Sequence, residues 1–136
     1  MAASVLVDSG FVVALISRRD THHQWAAAQA PGHALPWITC EAALSEGFHL
    51  LGARGARPLD ALLRRGALRL AFSLADEMEP VLKLIRKYAD APMSLADACL
   101  VRMSETLPDP VVLTTDEDFR IYRRHSRHII PCVMPG

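Results

Sequence analysis

The 136-residue chain has no net charge: Lys+Arg and Asp+Glu both number 15. Overall electrostatics therefore give no pull toward nucleic acid, and only the placement of charges can. Lysine is nearly missing, with Lys83 and Lys87 standing against thirteen arginines. Arginine's planar fork suits phosphate contacts, so where the arginines cluster matters. No apolar run approaches the ~20 residues that cross a bilayer; the early run "FVVALI" is far shorter. Nor does a basic start lead into an apolar stretch with a small-residue cleavage site. A cytoplasmic chain with no membrane partner is expected. The three cysteines, Cys40, Cys99 and Cys132, are scattered, with no C-x-x-C pair or Cys/His cluster at zinc spacing. They read as small reduced hydrophobes. Phosphate-loop and G-x-S-x-G signatures are absent too, which excludes a P-loop NTPase and a serine hydrolase of that type.

What is present is alternation. "SVLVDS" is a short β-branched run ending in a polar turn, a buried strand, and "GFVVALIS" is a helix packed back on it. "DTHHQWAAAQA" is a helix, "HALPWIT" a short strand, and "CEAALSEGFHLL" a helix stopping before Gly52. "RPLDALLRRG" follows as a helix with proline near its start and glycine just past its end. "ALRLAFS" is a strand. "ADEMEPVLKLIRKYAD" is a helix with acids in its first turn and bases in its last. "SLADACLVRMSE" is a helix, "VVLTT" a strand, "DEDFRIYRRH" a short helix, and "IIPCVMP" a final strand or extended tail. This order predicts a mostly parallel sheet with helices on both faces, in one domain over residues 1–136. Ligands of such sheets sit beyond the carboxyl ends of the strands, where Asp8 and Asp116 fall.

Each acid has a local explanation. Asp8 and Asp116 can cap helices, and Asp97 can complete a capping box with Ser94. Glu46 differs, lying in "ALSEGFHLL" between Leu44, Phe48 and Leu50. A carboxylate among apolar neighbours is costly unless paired, protonated or bound to a cation, the alternative being a solvent-facing position with Glu41 or His49. Four clustered carboxylates would resist ionising together, and a hard divalent cation would resolve the repulsion. Such a site suits hydrolysis of a phosphodiester.

The stretches "VLVDSGFVVALI", "LSEGFHLL", "YADAPMSLADACLVRMSE" and "VVLTTDEDFRIYRR", in this order, resemble PIN-domain proteins, most closely the VapC-like ribonuclease toxins. The resemblance spans nearly the whole chain. It implies an α/β/α sandwich and a Mg²⁺- or Mn²⁺-dependent endoribonuclease, the toxin of a type II toxin–antitoxin pair. Catalytic positions would be Asp8, Glu46, Asp97 and Asp116, with Asp8 and Asp97 holding the metal. Asp116, Asp118 and, through water, Glu46 are further candidate ligands, and Asp116 against Asp118 stays open. Glu41 is an extra acid. The product would carry a 5′-phosphate, and a homodimer restrained by an antitoxin's basic side chains would be the partner set.

Arg120, Arg123, Arg124 and Arg127 would share one face if "FRIYRRHSRH" were helical, a candidate RNA surface with Tyr122 free to stack, or else a solvated or partner-binding face. Arg18 and Arg19 are weaker phosphate candidates. His22 and His23 lack a third ligand. Two other functions compete: a non-catalytic PIN-fold module that binds RNA or protein, and a phosphatase of haloacid-dehalogenase type. The latter needs an aspartate where Gly10 stands.

Overall fold

The computed structural model describes residues 3–136. Five parallel strands form its sheet: β1 (Ser4–Val7), β2 (Trp37–Thr39), β3 (Leu68–Leu70), β4 (Pro110–Leu113) and β7 (Cys132–Val133). Their order across the sheet is β3-β2-β1-β4-β7. β1 is central because both its faces are apolar: Val5 and Val7 point one way, Leu6 the other, and all three are buried. It pairs in register with β4, Leu6 opposite Val112 and Val7 opposite Leu113.

Two apolar cores result. One joins Val5, Val7, Phe11, Trp37, Leu59 and Leu113 beneath α1 (Ser9–Ile16), α2 (His23–Gln29) and α3 (Glu41–Arg64). The other joins Leu6, Val81, Leu100, Met103, Val112 and Phe119 beneath α4 (Met78–Lys87) and α5 (Leu95–Thr106). Helices thus cover both faces, the expected three-layer α/β/α arrangement. Cys40 and Cys99 are buried and reduced in the second core, as hydrophobes.

α3 contains a break at Gly52, whose φ of 66° lies in the left-handed region that glycine enters without a Cβ clash. The expected stop before Gly52 therefore holds, although helical turns resume at once and enclose Pro58.

One element departs from expectation. "DEDFRIYRRH" is a 3-10 turn over Glu117–Arg120, followed by an antiparallel hairpin of β5 (Arg123–Arg124) and β6 (His128–Ile129). His125 and Ser126 turn the hairpin with φ of 49° and 68°, outside any right-handed helix. The single arginine face is therefore dissolved. Arg123 Nη1 donates to the carbonyls of Arg120, Ile121 and Tyr122 at 2.6–3.1 Å. Arg124 donates through Nε and Nη2 to the carbonyl of Ser104. Arg124 thus ties the hairpin to α5, and Arg123 is spent on the turn that leads into it.

Candidate active site

The sheet changes winding direction between β1 and β4: the chain moves outward through β2 and β3, then returns to place β4 on β1's other side. Crevices open at such a switch point, beyond the carboxyl ends of the strands. Asp8 follows β1 and Asp116 lies just past β4. α5 brings in Asp97 and α3 brings in Glu46. All four carboxylates line one cleft of about 160 Å³, together with Ser9, Gly10, Leu50, Ala96 and Thr115. The cleft opens to solvent at one side and has room for a cation with its waters.

Local chemistry fixes each acid. Asp8 is buried and caps α1, accepting from the Gly10 amide at 2.6 Å through Oδ1. Its Oδ2 accepts the Thr114 hydroxyl. Thr114 Oγ1 in turn accepts the Asp116 amide at 2.9 Å, so one buried hydroxyl ties two acids together. Asp116 caps the 3-10 turn by accepting the Asp118 amide at 2.9 Å. Glu46 accepts from Ser9 Oγ at 3.0 Å. Ser94 caps α5 by accepting the Asp97 amide at 3.0 Å, which frees the Asp97 carboxylate to accept from Tyr122 OH at 3.0 Å. Ser94 is the cap, and the Asp97 side chain turns to the cleft.

Gly10 has a packing reason to be glycine, because a Cβ there would collide with the Thr115 side chain and crowd Asp8 Oδ1.

The acids burden one another. Burial pushes Asp8 up from 3.8 to about 6, with Asp97 and Asp116 adding repulsion against the Thr114 and Gly10 hydrogen bonds. Burial raises Asp97 as well, with Asp116 adding, although Tyr122 opposes the rise. Burial chiefly raises Asp116, joined by Asp118 and Glu46. No Lys, Arg or His lines the cleft among the described residues. The Tyr122 phenol is raised by burial and by Asp97, so it stays protonated and remains a donor.

A stability prediction follows from the sign of these shifts. Folded Asp8 holds its proton more tightly than unfolded Asp8, so its contribution is favourable below about pH 4 and is lost as pH rises toward 6. At about 1.36 kcal/mol per pH unit the loss is roughly 3 kcal/mol. In chelator, the melting temperature should fall between about pH 4.5 and pH 6.5; a rise through that window would contradict the anionic strain.

An all-oxygen, uncompensated donor set fits a hard divalent cation. Among the described residues no three His, Cys, Asp or Glu side chains close around a single point. Magnesium tolerates that openness, since it takes one or two carboxylates and keeps waters and substrate oxygens elsewhere.

Several sequence expectations change in detail. Glu46 is exposed, not buried among apolar neighbours; it faces the cleft rim through Ser9, so the desolvation argument for it fails while its placement beside the other acids holds. Asp118 and Glu41 are exposed and do not line the cleft. Tyr122 is fully buried and cannot stack on RNA. His23 is structural, its Nδ1 lying 2.8 Å from the Ala14 carbonyl. Sequence reasoning missed three hydroxyls, Ser9, Thr114 and Tyr122, each donating to one acid. Ser9 and Thr114 stand beside the strand ends, a signal that was available; nothing local marks Tyr122.

A larger hollow, about 610 Å³ beside β7, is lined by Phe119, Arg120 and residues 129–134 and brings no acids together. Converging polar groups favour the smaller cleft.

Known proteins bear on this architecture. The structure is similar to that of VapC20 of Mycobacterium tuberculosis, described as a sarcin-ricin loop cleaving toxin, with a TM-score of 0.76 and 22% identity over 85% of this chain and 92% of that one. None of the curated proteins compared by sequence matches. No helix among the described residues is long and apolar enough to cross a membrane. Residues 5–124 match the PIN domain, nearly the whole of the sheet and its helices, and the chain belongs to the PIN-domain family.

Proposed function

We propose that the chain is a metal-dependent endoribonuclease, the toxin of a type II toxin–antitoxin pair, and that residues 1–136 make up one PIN-like domain. The observation that carries this reading is the meeting of Asp8, Glu46, Asp97 and Asp116 in one cleft without a basic side chain among its described lining residues. The shared fold with an RNA-cleaving toxin supports RNA as substrate.

Asp8 and Asp97 would hold the ion, with Asp116 as a further ligand and Glu46 acting through water. Asp118 would act by holding Asp116 through its amide. Bound there, Mg²⁺ or Mn²⁺ would neutralise phosphate charge and acidify a water for attack. Glu46, exposed at the rim and anchored on one oxygen by Ser9, would have its other oxygen available to orient an attacking water. Water adds to phosphorus, the bond from phosphorus to O3′ breaks, and a proton passes to O3′, leaving a 5′-phosphate. Arg120 is exposed in a hollow it shares with Thr115 and is a candidate phosphate contact. A homodimer, and an antitoxin that sets basic side chains against these acids, complete the proposal.

Purified chain incubated with RNA should yield 5′-phosphorylated fragments with Mg²⁺ and none with chelator. Binding of RNA without fragments under any divalent ion would replace this reading with a non-catalytic binding module.

A further inference from the structure

A second groove runs between α1 and α3, about 360 Å³ in volume, and Leu50 belongs both to it and to the acidic cleft. Its floor is apolar, formed by Val13, Ile16, Leu51 and Pro58. Its charged groups are Arg18, Arg19 and Arg54. All three are exposed, and none has an ion-pair partner among the described residues. Leu50, at the junction, is exposed and carries the apolar floor of the groove up to the acidic cleft.

α1 connects the two sites. Asp8 caps the start of α1, and Arg18 follows its end, past eight residues. At 1.5 Å per residue that is about 12 Å, the span of a few nucleotides.

We infer that this groove holds the sugar-phosphate backbone of the single-stranded RNA flanking the cleaved bond, through Arg18, Arg19 and Arg54. The inference rests on the endoribonuclease reading and adds where the substrate runs. Three uncompensated guanidinium groups beside an apolar floor match a strand that offers phosphates on one side and bases or riboses on the other. The polyanion also explains how substrate is retained by a chain of zero net charge whose reaction cleft is itself anionic. Phosphate contacts on the flank supply affinity, and the acids act only where the strand crosses the cleft.

The test measures binding of a short labelled single-stranded oligoribonucleotide of mixed sequence in EDTA, over a range of salt. The full chain is compared with the Arg18→Ala/Arg19→Ala/Arg54→Ala variant and with the matching triple lysine variant. Loss of three phosphate contacts should weaken binding by about tenfold or more and lower the slope of log K against log salt by about 2. Lysine should restore the slope. With Mg²⁺, the alanine variant should show a raised KM with kcat little altered. Unchanged affinity and slope in the alanine variant would overturn the inference. So would unchanged RNA binding with an altered sedimentation coefficient, which would assign the groove to a second copy of the chain. Unchanged binding of RNA but lost binding of a poly-glutamate peptide would overturn it in favour of an acidic protein partner. If RNA binding depends on the arginines but nothing is cut, the groove stands and the nuclease reading falls. If Asp97→Asn stops cleavage while the arginine variants are neutral, the nuclease stands and the groove falls.

Discussion

Asp97→Asn should reduce RNA cleavage on the order of 10³-fold or more while leaving the fold and its melting temperature intact. The two effects separate because the cap and the carboxylate are separate. Ser94 accepts the backbone amide of residue 97, which asparagine retains. Tyr122 OH can still donate to the amide oxygen of the new side chain. What disappears is the charge. Burial and Asp116 already hold the Asp97 carboxyl above its ordinary value, so the folded protein is relieved, not harmed, by the neutral group. Asp8→Asn should stop cleavage as well, but without a comparable benefit to stability, because Asp8 accepts at both carboxylate oxygens, from the Gly10 amide and the Thr114 hydroxyl, and the amide can keep only one of these bonds. The measurement is a cleavage time course in Mg²⁺ beside thermal melts in chelator. Wild-type cleavage by Asp97→Asn would remove this residue from the centre; a collapse in stability would show that its charge holds the fold.

Tyr122→Phe should weaken cleavage 10–100-fold at limiting metal, the usual scale for losing a group that orients a ligand, and excess Mg²⁺ should recover much of it. Tyr122 is a positioning residue whose only route to the reaction is its hydrogen bond to Asp97 Oδ2. Its ring packs edge-on against Tyr88 at 5.1 Å and Phe119 at 5.3 Å, contacts that phenylalanine keeps. The folding cost of the lost hydroxyl should stay near 1 kcal/mol. Without its donor the Asp97 carboxyl rises further, so the acid limb of the pH–rate profile should move to higher pH. A purely structural role for the hydroxyl would lower activity at every pH and leave that limb where it was.

The legible parts of this protein are those whose causes are local. β1 and β4 stand out because runs of β-branched residues suit strands buried on both faces, and their alternation with helical segments already implied a parallel sheet. Ser94 as a helix cap and Gly52 as a helix break were equally visible, since each answers to backbone geometry within a few residues. The basic segment at Arg120–Arg127 was misread for the same reason. Helical spacing of arginines is a local pattern, but left-handed residues at His125 and Ser126 and carbonyl partners on Ser104 decided otherwise. Glu46 shows the opposite error: its apolar neighbours suggested burial, whereas the helix turns it to the rim, where Ser9 receives it.

From the sequence alone came the alternation of strands and helices and the placing of Asp8 and Asp116 at strand ends, because periodicity and strand termini are written in neighbouring residues. Only the tertiary structure decided that Thr114 reaches Asp8 across 106 positions, Ser9 reaches Glu46 across 37, and Tyr122 reaches Asp97 across 25. Those hydrogen bonds depend on which strands lie side by side, and strand order follows from burying two apolar faces at once, a condition on the whole chain.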